Sequence, residues 1–251
     1  RNFPCSLRPQ GKEIVRNWLY FTILKSFLLF GKKPFKNVWI HMHVVDEQGR
    51  KMSKSAGNVI DPQDVIRMFG SEAFRIWSAL EGNITKGDIR CSFERIRGTS
   101  KFLTKLWNIA RFISSFPQVS ENYELAPLDR MILAKLNELI GECRRGYEDM
   151  NAFHAGTAIR AFTWNIFADH YLEAVKPRAY NRDGLFDPKL QRGAWYTLHE
   201  CLKTILKLLA PICPFITEAI WLELYSKESI HIQRFPTEVD EWKDSIVNLL
   251  P

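Results

Sequence analysis

Apolar residues at Ile14, Trp18, Phe21, Leu24, Leu28 and Leu29 recur at helical spacing, which predicts a helix over residues 12–30. Gly31 closes it and Pro34 bars its continuation. In the next stretch, "NVWIHMHVV", Val38, Ile40, Met42 and Val44 alternate with Trp39, His41, His43 and Val45. Both sets are largely apolar, the pattern of a strand buried on both faces of a parallel sheet. A basic loop with Gly and Ser follows. Then Asp61-Pro62, an N-cap before proline at the first helical position, starts a short helix to Phe69. Gly70 breaks it, and Ser71 caps a second helix through Ala73, Phe74, Ile76 and Trp77. "EGNITKGDIR" has no period and reads as a connection.

From about Phe93 onward every pattern is helical. Ile96, Phe102, Leu103, Leu106, Ile109, Ala110 and Ile113 mark one helix, which ends before Pro117. Leu128, Ile132, Leu136, Leu139, Cys143 and Tyr147 stripe a second, from Pro127 to about Met150. A third is predicted from about Ala152 to Val175 with Ala155, Ile159, Phe162, Ile166, Ala174 and their neighbours facing inward, stopped by Pro177. Asp187-Pro188 starts a fourth, through Leu190, Ala194, Leu198, Cys201, Leu202, Ile205 and Leu209. Pro211 and Pro214 set off a last short helix ending near Tyr225. Long amphipathic helices on short connections make an antiparallel bundle. "SIHIQRFP" alternates and reads as a short strand or an extended strap. The chain thus divides at 1–60, 61–98, 99–225 and 226–251. Its class is mainly α, with a strand-and-loop remnant of an α/β domain first.

Composition alters this picture little. With 251 residues, 46% hydrophobic and 25% charged, the chain buries a sizeable core. Five cysteines, at 5, 91, 143, 201 and 213, have no metal-ligand spacing, and buried reduced thiols in a cytoplasmic protein are expected. The most apolar region, Ile205–Trp221, holds Lys207 and two prolines, so it reads as a helix pair and not a membrane span. The first residues, starting at Arg1, read as the inside of a domain, and a fragment is expected.

Charge changes it more. Residues 1–60 carry eleven Lys/Arg against three Asp/Glu, residues 61–98 six of each, and residues 99–251 eighteen against nineteen. This argues for a local polyanion site in the first sixty residues. The candidate is "GRKMSKSAGN", Gly49–Asn58, which has three cations and no acid. Arg50, Lys51 and Lys54 offer charges to phosphate oxygens, Ser53 and Ser55 offer hydroxyls, and Gly49 and Gly57 let the backbone approach. The order G-x-x-x-x-G-K-[ST] is absent. Such a loop suits stabilisation of charge on departing phosphates. A solvated basic turn is the plainer alternative.

The string "KMSKS", Lys51–Ser55, followed by Gly57 and Asn58, resembles the signature loop of the class I aminoacyl-tRNA synthetases, in the strand-to-helix setting of that family. The resemblance implies a loop that closes over the ATP triphosphate, with Lys54 on the leaving pyrophosphate and Lys51 assisting. "RPQGKEIVRNWL" resembles the motif before the last crossover helix of the valine, isoleucine and leucine group. There Gly11 would pack close to the aminoacyl-adenylate and Glu13 would bind the ribose hydroxyls. Most relatives have Asp at the position of Glu13 and Gly at that of Met42. The plain reading of Glu13 is a first-turn carboxylate favoured by the helix dipole. His41 and His43 read as packing or adenine-adjacent residues, and no protein-bound metal is expected. Mg2+ would accompany ATP.

"LDRMILAKLNELI", "HYLEAVKPRAY" and "APICPFITEAIW" resemble the anticodon-binding bundle of the same subgroup. The resemblance implies the C-terminal half of a Rossmann-like catalytic domain, a connecting stem-contact segment, an anticodon-binding domain and a C-terminal strap. It is nearest to valine-specific, archaeal-type members, with isoleucine-specific ones next, and implies a cytoplasmic monomer partnered by valine tRNA. Arg144, Arg145, Lys176, Arg178 and Arg182 are candidate phosphate contacts; Tyr180, Trp164 and Trp195 are candidate stacking residues. Solvated helix ends and a packed core are the plainer readings. Arg178 and Tyr180 are favoured because Pro177 is expected to leave them in a loop. The family's H-x-G-H turn is nowhere in the chain, so these residues alone are expected to bind tRNA without activating an amino acid. A non-catalytic RNA-binding module is the competing reading.

Overall fold

The computed structural model describes residues 3–83 and 87–243. Residues 84–86 of the expected connection and the end of the strap from 244 lie outside the described residues. The chain forms two compact units, Arg1–Asp61 with Glu81–Ser92, and Pro62–Leu80 with Phe93–Pro251.

In the first unit β1 (Cys5–Gly11) pairs in parallel with β2 (Phe35–His41), from Cys5 opposite Phe35 to Gly11 opposite His41. The crossover begins as a 3-10 turn, Lys12–Ile14, continues as a π-helical stretch, Val15–Leu19, and settles into α1, Tyr20–Phe30. β1 carries no apolar alternation, which hides it from pattern reading. The strand expected over 37–45 is interrupted after His41. Its last residues form β3 (Val44–Val45), paired in parallel with β4 (Ile89–Arg90). Nor is β2 buried on both faces: Val38 and Ile40 are more than a third exposed. The stripe that predicts the helix lies open as well, with Leu28 73% and Leu29 72% exposed. Periodicity reports which face is made for covering, and the described residues of this unit do not cover it.

The second unit holds the core. α2 (Pro62–Phe69) and α3 (Ser71–Glu81) lead to α4 (Phe93–Ile113) and α5 (Pro127–Glu148). α6 (Ala152–Ala161) runs through a ten-residue π-helix, Phe162–Tyr171, into α7 (Leu172–Tyr180); α8 (Pro188–Leu209) and α9 (Pro214–Leu224) complete it. One apolar cluster joins Phe102, Leu106, Ile132, Leu136, Ile159, Phe167, Leu198 and Leu202.

The π-helix corrects the expected third stripe. Its wider turn advances the phase, so Phe167 is buried while Ile166 is 36% exposed. Beyond it Val175 is buried and Ala174 exposed. Pro177 does not stop the helix, which runs to Tyr180 and ends at Asn181 in the left-handed region, φ 45°. Proline removes one N–H and the last turn survives the loss. Near the end of the chain Ile230–Ile232 is a 3-10 turn, not a strand.

α3 is fastened to the bundle by polar side chains. The Glu72 carboxylate accepts from Phe215 N (3.2 Å) and Ile216 N (3.0 Å), capping α9. Arg75 donates to Ile212 O (2.8 Å) and Pro211 O (3.1 Å), and Thr99 Oγ1 donates to Ala73 O (2.9 Å).

Candidate functional site: a basic loop and a helical groove

Asp46, directly after β3, organises the loop. Its Oδ1 accepts from Arg50 N (2.7 Å), and its Oδ2 accepts from Arg50 Nε (2.8 Å) and Asn58 Nδ2 (2.9 Å). Asn58 closes the far side: its Oδ1 accepts from Ser53 N (3.0 Å) and its Nδ2 reaches Lys51 O (3.2 Å). Ser53 Oγ lies 3.2 Å from Ser55 Oγ and accepts from Ala56 N (3.2 Å). Gly49 and Gly57 take φ of 83° and 64°, which other residues adopt at a cost. The Asn58 amide, then Arg50, lower the Asp46 carboxyl to about 2, so it stays ionised.

The loop therefore divides its cations. Arg50 is tied to Asp46 and is part of the frame. Lys51 and Lys54 are exposed, and neither ammonium makes an ion pair among the described residues. Two mobile-stemmed charges on a pinned backbone suit a phosphate chain.

A second polar group stands at the carboxyl ends of β1 and β2. Glu13 Oε2 lies 3.0 Å from His43 Nε2, so His43 has a carboxylate partner that sequence spacing does not show. His43 N donates to Asp88 Oδ1 (3.1 Å), and Asp88 pairs with Lys12. The Glu13 carboxyl is held below its ordinary value by its own backbone N–H first and by His43 further. A Cβ at Gly11 would meet Glu13 Oε1 at 2.5 Å, so the glycine leaves room for that carboxylate. Asp88 belongs to the segment outside pattern reading; only its position before a strand could have marked it.

The structure also corrects the placement of charge. Arg8 stacks on Trp18, 3.7 Å from the ring centroid, Lys12 pairs with Asp88 and Arg50 with Asp46. Lys25 lies midway along α1, and Lys32, Lys33 and Lys36 lie between its end and the start of β2, the strand end opposite to the loop. The excess of the first sixty residues is not gathered at one site.

Of the five thiols, Cys5 is exposed, and Cys91, Cys143, Cys201 and Cys213 are buried. Burial pushes Cys91 up to about 11 and, with Glu142, Cys143 to about 12. Among the described residues no three His, Cys, Asp or Glu converge to hold a metal ion. No described helix is long and apolar enough to cross a membrane.

In the bundle the candidate RNA contacts separate. Arg178 is a correction: it is 7% exposed and grips the fully buried Asp129 through two nitrogens, with Nη1 2.7 Å from Oδ2. Tyr171 Oη donates to Asp129 Oδ1 (2.6 Å) and Arg178 Nη1 also donates to Leu190 O (2.8 Å). The helix continues past Pro177, so Arg178 points into the core. Arg144 is half-buried, donating to Pro236 O (2.8 Å) beside the Phe235 ring, and Arg145 is exposed on α5. Trp195 Nε1 donates to Ala179 O (2.9 Å), and half-buried Trp164 lies under Lys105 Nζ at 4.4 Å.

Lys176, Tyr180 and Arg182 come together. Arg182 stacks on Tyr180 at 5.0 Å, Tyr180 meets the rings of Phe112 (6.1 Å) and Phe116 (5.1 Å), and Lys176 Nζ stands 5.9 Å from Phe112. Lys176 also pairs with Glu173 at 2.6 Å. The cluster lines a cavity of about 450 Å³. A neighbouring groove of about 540 Å³, between α4 and α7, carries Lys101, Lys105 and Lys176. Sequence reading missed Phe112, because it lies on a core helix.

Residues 1–92 match the family described as tRNA synthetases class I (I, L, M and V), and residues 129–250 match the anticodon-binding domain of tRNA ligase. The chain is 42% identical to the valine–tRNA ligase of Pyrobaculum aerophilum over 96% of its own length and 30% of that protein. It is 43% identical to that of Aeropyrum pernix over 92% of its length and 28% of the relative. The chain thus spans less than a third of the relatives it matches. The agnB2 LeuRS of Agrobacterium radiobacter K84, solved as a ternary complex with tRNA and LeuAMS, shares the fold. Its TM-score is 0.71 at 22% identity, over 96% of this chain and 29% of that one.

Proposed function

We propose, from the premise that this chain is a class I tRNA synthetase segment joined to an anticodon-binding domain, that it is part of a valine–tRNA ligase. In the proposed reaction the valine carboxylate attacks the α-phosphorus of ATP and pyrophosphate leaves, and a ribose hydroxyl at the 3′ end of valine tRNA then takes the aminoacyl group from the adenylate as AMP leaves. This chain supplies one side of that site. Lys54, with Lys51, meets the charge that grows on the departing pyrophosphate, and Ser53 and Ser55 lend hydroxyls. Glu13, held by His43 beside Gly11, faces the ribose. The observation that carries the reading is the division of charge within the loop: Arg50 is tied to Asp46, and both lysines are left without an ion pair among the described residues. Mg2+ would accompany the triphosphate and offset its charge; among the described residues no three His, Cys, Asp or Glu converge to hold it.

The tRNA partner is read from the alternation of cations and rings at Lys176, Phe112, Tyr180 and Arg182, with Arg145 exposed elsewhere on the bundle. A monomeric cytoplasmic enzyme is part of the same reading.

Two measurements test it. In the full-length protein Lys54→Ala is expected to lower valine-dependent ATP–pyrophosphate exchange by about 10²–10³-fold, the range for one transition-state charge contact, with valine affinity little changed. The 251 residues alone are expected to give no exchange above background, and exchange by them overturns that part. Gel shifts with valine and isoleucine tRNAs separate the readings: preference for isoleucine tRNA reassigns the substrate, and no preference over bulk tRNA removes the anticodon role.

A further inference from the structure

Between Glu13 and Asp46 the chain has no acidic residue, yet it carries Arg16, Lys25, Lys32, Lys33 and Lys36. The four lysines are exposed, and none makes an ion pair among the described residues. They are gathered by a fixed corner. Gly31 N donates to Phe27 O (2.8 Å), ending α1, and Ser26 Oγ donates to Lys32 O (2.8 Å), turning the chain back beside the last helical turns. Cys5 N donates to Pro34 O (2.8 Å), which ties the corner to β1 just before Lys36 enters β2.

Lysines kept for solubility are scattered and mixed with acids. These are neither. They also stand at the wrong end of the sheet to serve the loop. β2 runs from Phe35 to His41, about 20 Å at the usual strand rise, and the polar group at Glu13 and His43 lies beyond its other end. A nucleotide held at the loop cannot reach them.

We infer that the corner formed by Lys25, Lys32, Lys33 and Lys36 is a second polyanion surface, one that takes the phosphate backbone of RNA without regard to sequence. Four unpaired ammonium groups on flexible stems track a backbone and displace its counterions. Phe27 and Phe30, exposed between Lys25 and Lys32, can stack on any base regardless of its identity, so the surface adds affinity and no discrimination. The inference rests on the reading that RNA is this protein's partner.

The test uses the full-length protein and its salt dependence. Binding of labelled valine tRNA and of an unrelated tRNA is followed against NaCl for the wild type and for the combined variant K25Q/K32Q/K33Q/K36Q. Losing four phosphate contacts is expected to reduce the slope of log affinity against log salt by about 3, equally for both RNAs. A variant slope equal to the wild type overturns the surface and leaves the partner reading intact. A wild type that binds neither RNA overturns the partner reading first. A variant that keeps its RNA slope but no longer sediments with vesicles of acidic phospholipid assigns the corner to a membrane surface and overturns the inference. The substituted lysines are exposed and far in sequence from the reacting groups, so unchanged ATP–pyrophosphate exchange serves as the control for folding.

Discussion

Asp129 takes hydrogen bonds from Tyr171, Arg178 and Ala126 N (2.9 Å), so both its oxygens are filled. Breaking such a pair from one side leaves a buried charge without compensation, which costs about 3–5 kcal/mol. Arg178→Met is therefore expected to lower the unfolding free energy measured by chemical denaturation by that amount, and Arg178→Met with Asp129→Leu to cost less than the sum. His199 is a second buried group with a defined state. Its Nε2 lies 3.0 Å from Phe116 O and its Nδ1 3.0 Å from Tyr225 Oη, an arrangement for the neutral ring with Nε2–H donating. Burial first, and Lys203 further, depress its pKa below the ordinary 6.5, against the Phe116 carbonyl and Glu200, which raise it. The unfolded chain then takes up a proton that the folded chain refuses. Stability from this group is full above pH 6.5 and declines as pH falls through that value. Thermal melts between pH 8 and 5 are expected to show that decline and His199→Gln to flatten it. At this scale the exposed basic loop was legible in the order of Lys51–Ser55, whereas the partners of Arg178 were not, since Asp129 is 49 residues away.

Elements were legible wherever a period persisted and a breaker ended it. α2, α5, α8 and α9 start at the prolines that announce them. What failed was phase. Nothing in "FTWNIFADHY" spells a π-helix, and after those ten residues Val175 rather than Ala174 faces inward. Close approach is another silent property. Gly193 lies in α8, where a Cβ would be driven against the backbone carbonyl of Glu124. Because that atom is backbone, relief requires moving the segment before α5. Gly193→Ala is expected to cost about 1–3 kcal/mol despite alanine's better helix propensity, measured as a lower melting temperature. Gly98→Ala, with open space around it, serves as the comparison and is expected to be neutral or stabilising.

On the scale of the whole chain, the two regions of family resemblance do not coincide with the two compact units. The synthetase match covers residues 1–92, yet Pro62–Leu80 packs with the bundle. α3 gives that unit Ala73, Ile76 and Trp77 as buried groups, besides Glu72 at the start of α9. A chain starting at Phe93 would lack them. It is expected to be less stable than one starting at Pro62 by about 3–6 kcal/mol, reckoned from two large buried side chains, with chemical denaturation as the measure.

The path of the chain carries a consequence for descent. It leaves the first unit at Asp61, contributes two helices to the second, returns to lay β4 beside β3, and departs again after Ser92. No single crossover in a gene could trade either unit intact. A recombinant cut at residue 93 inherits a bundle without its α3 clasp, and one cut at residue 62 strips the first unit of β4. The two units alternate along the sequence, so the basic loop of one and the helices of the other are inherited together or not at all.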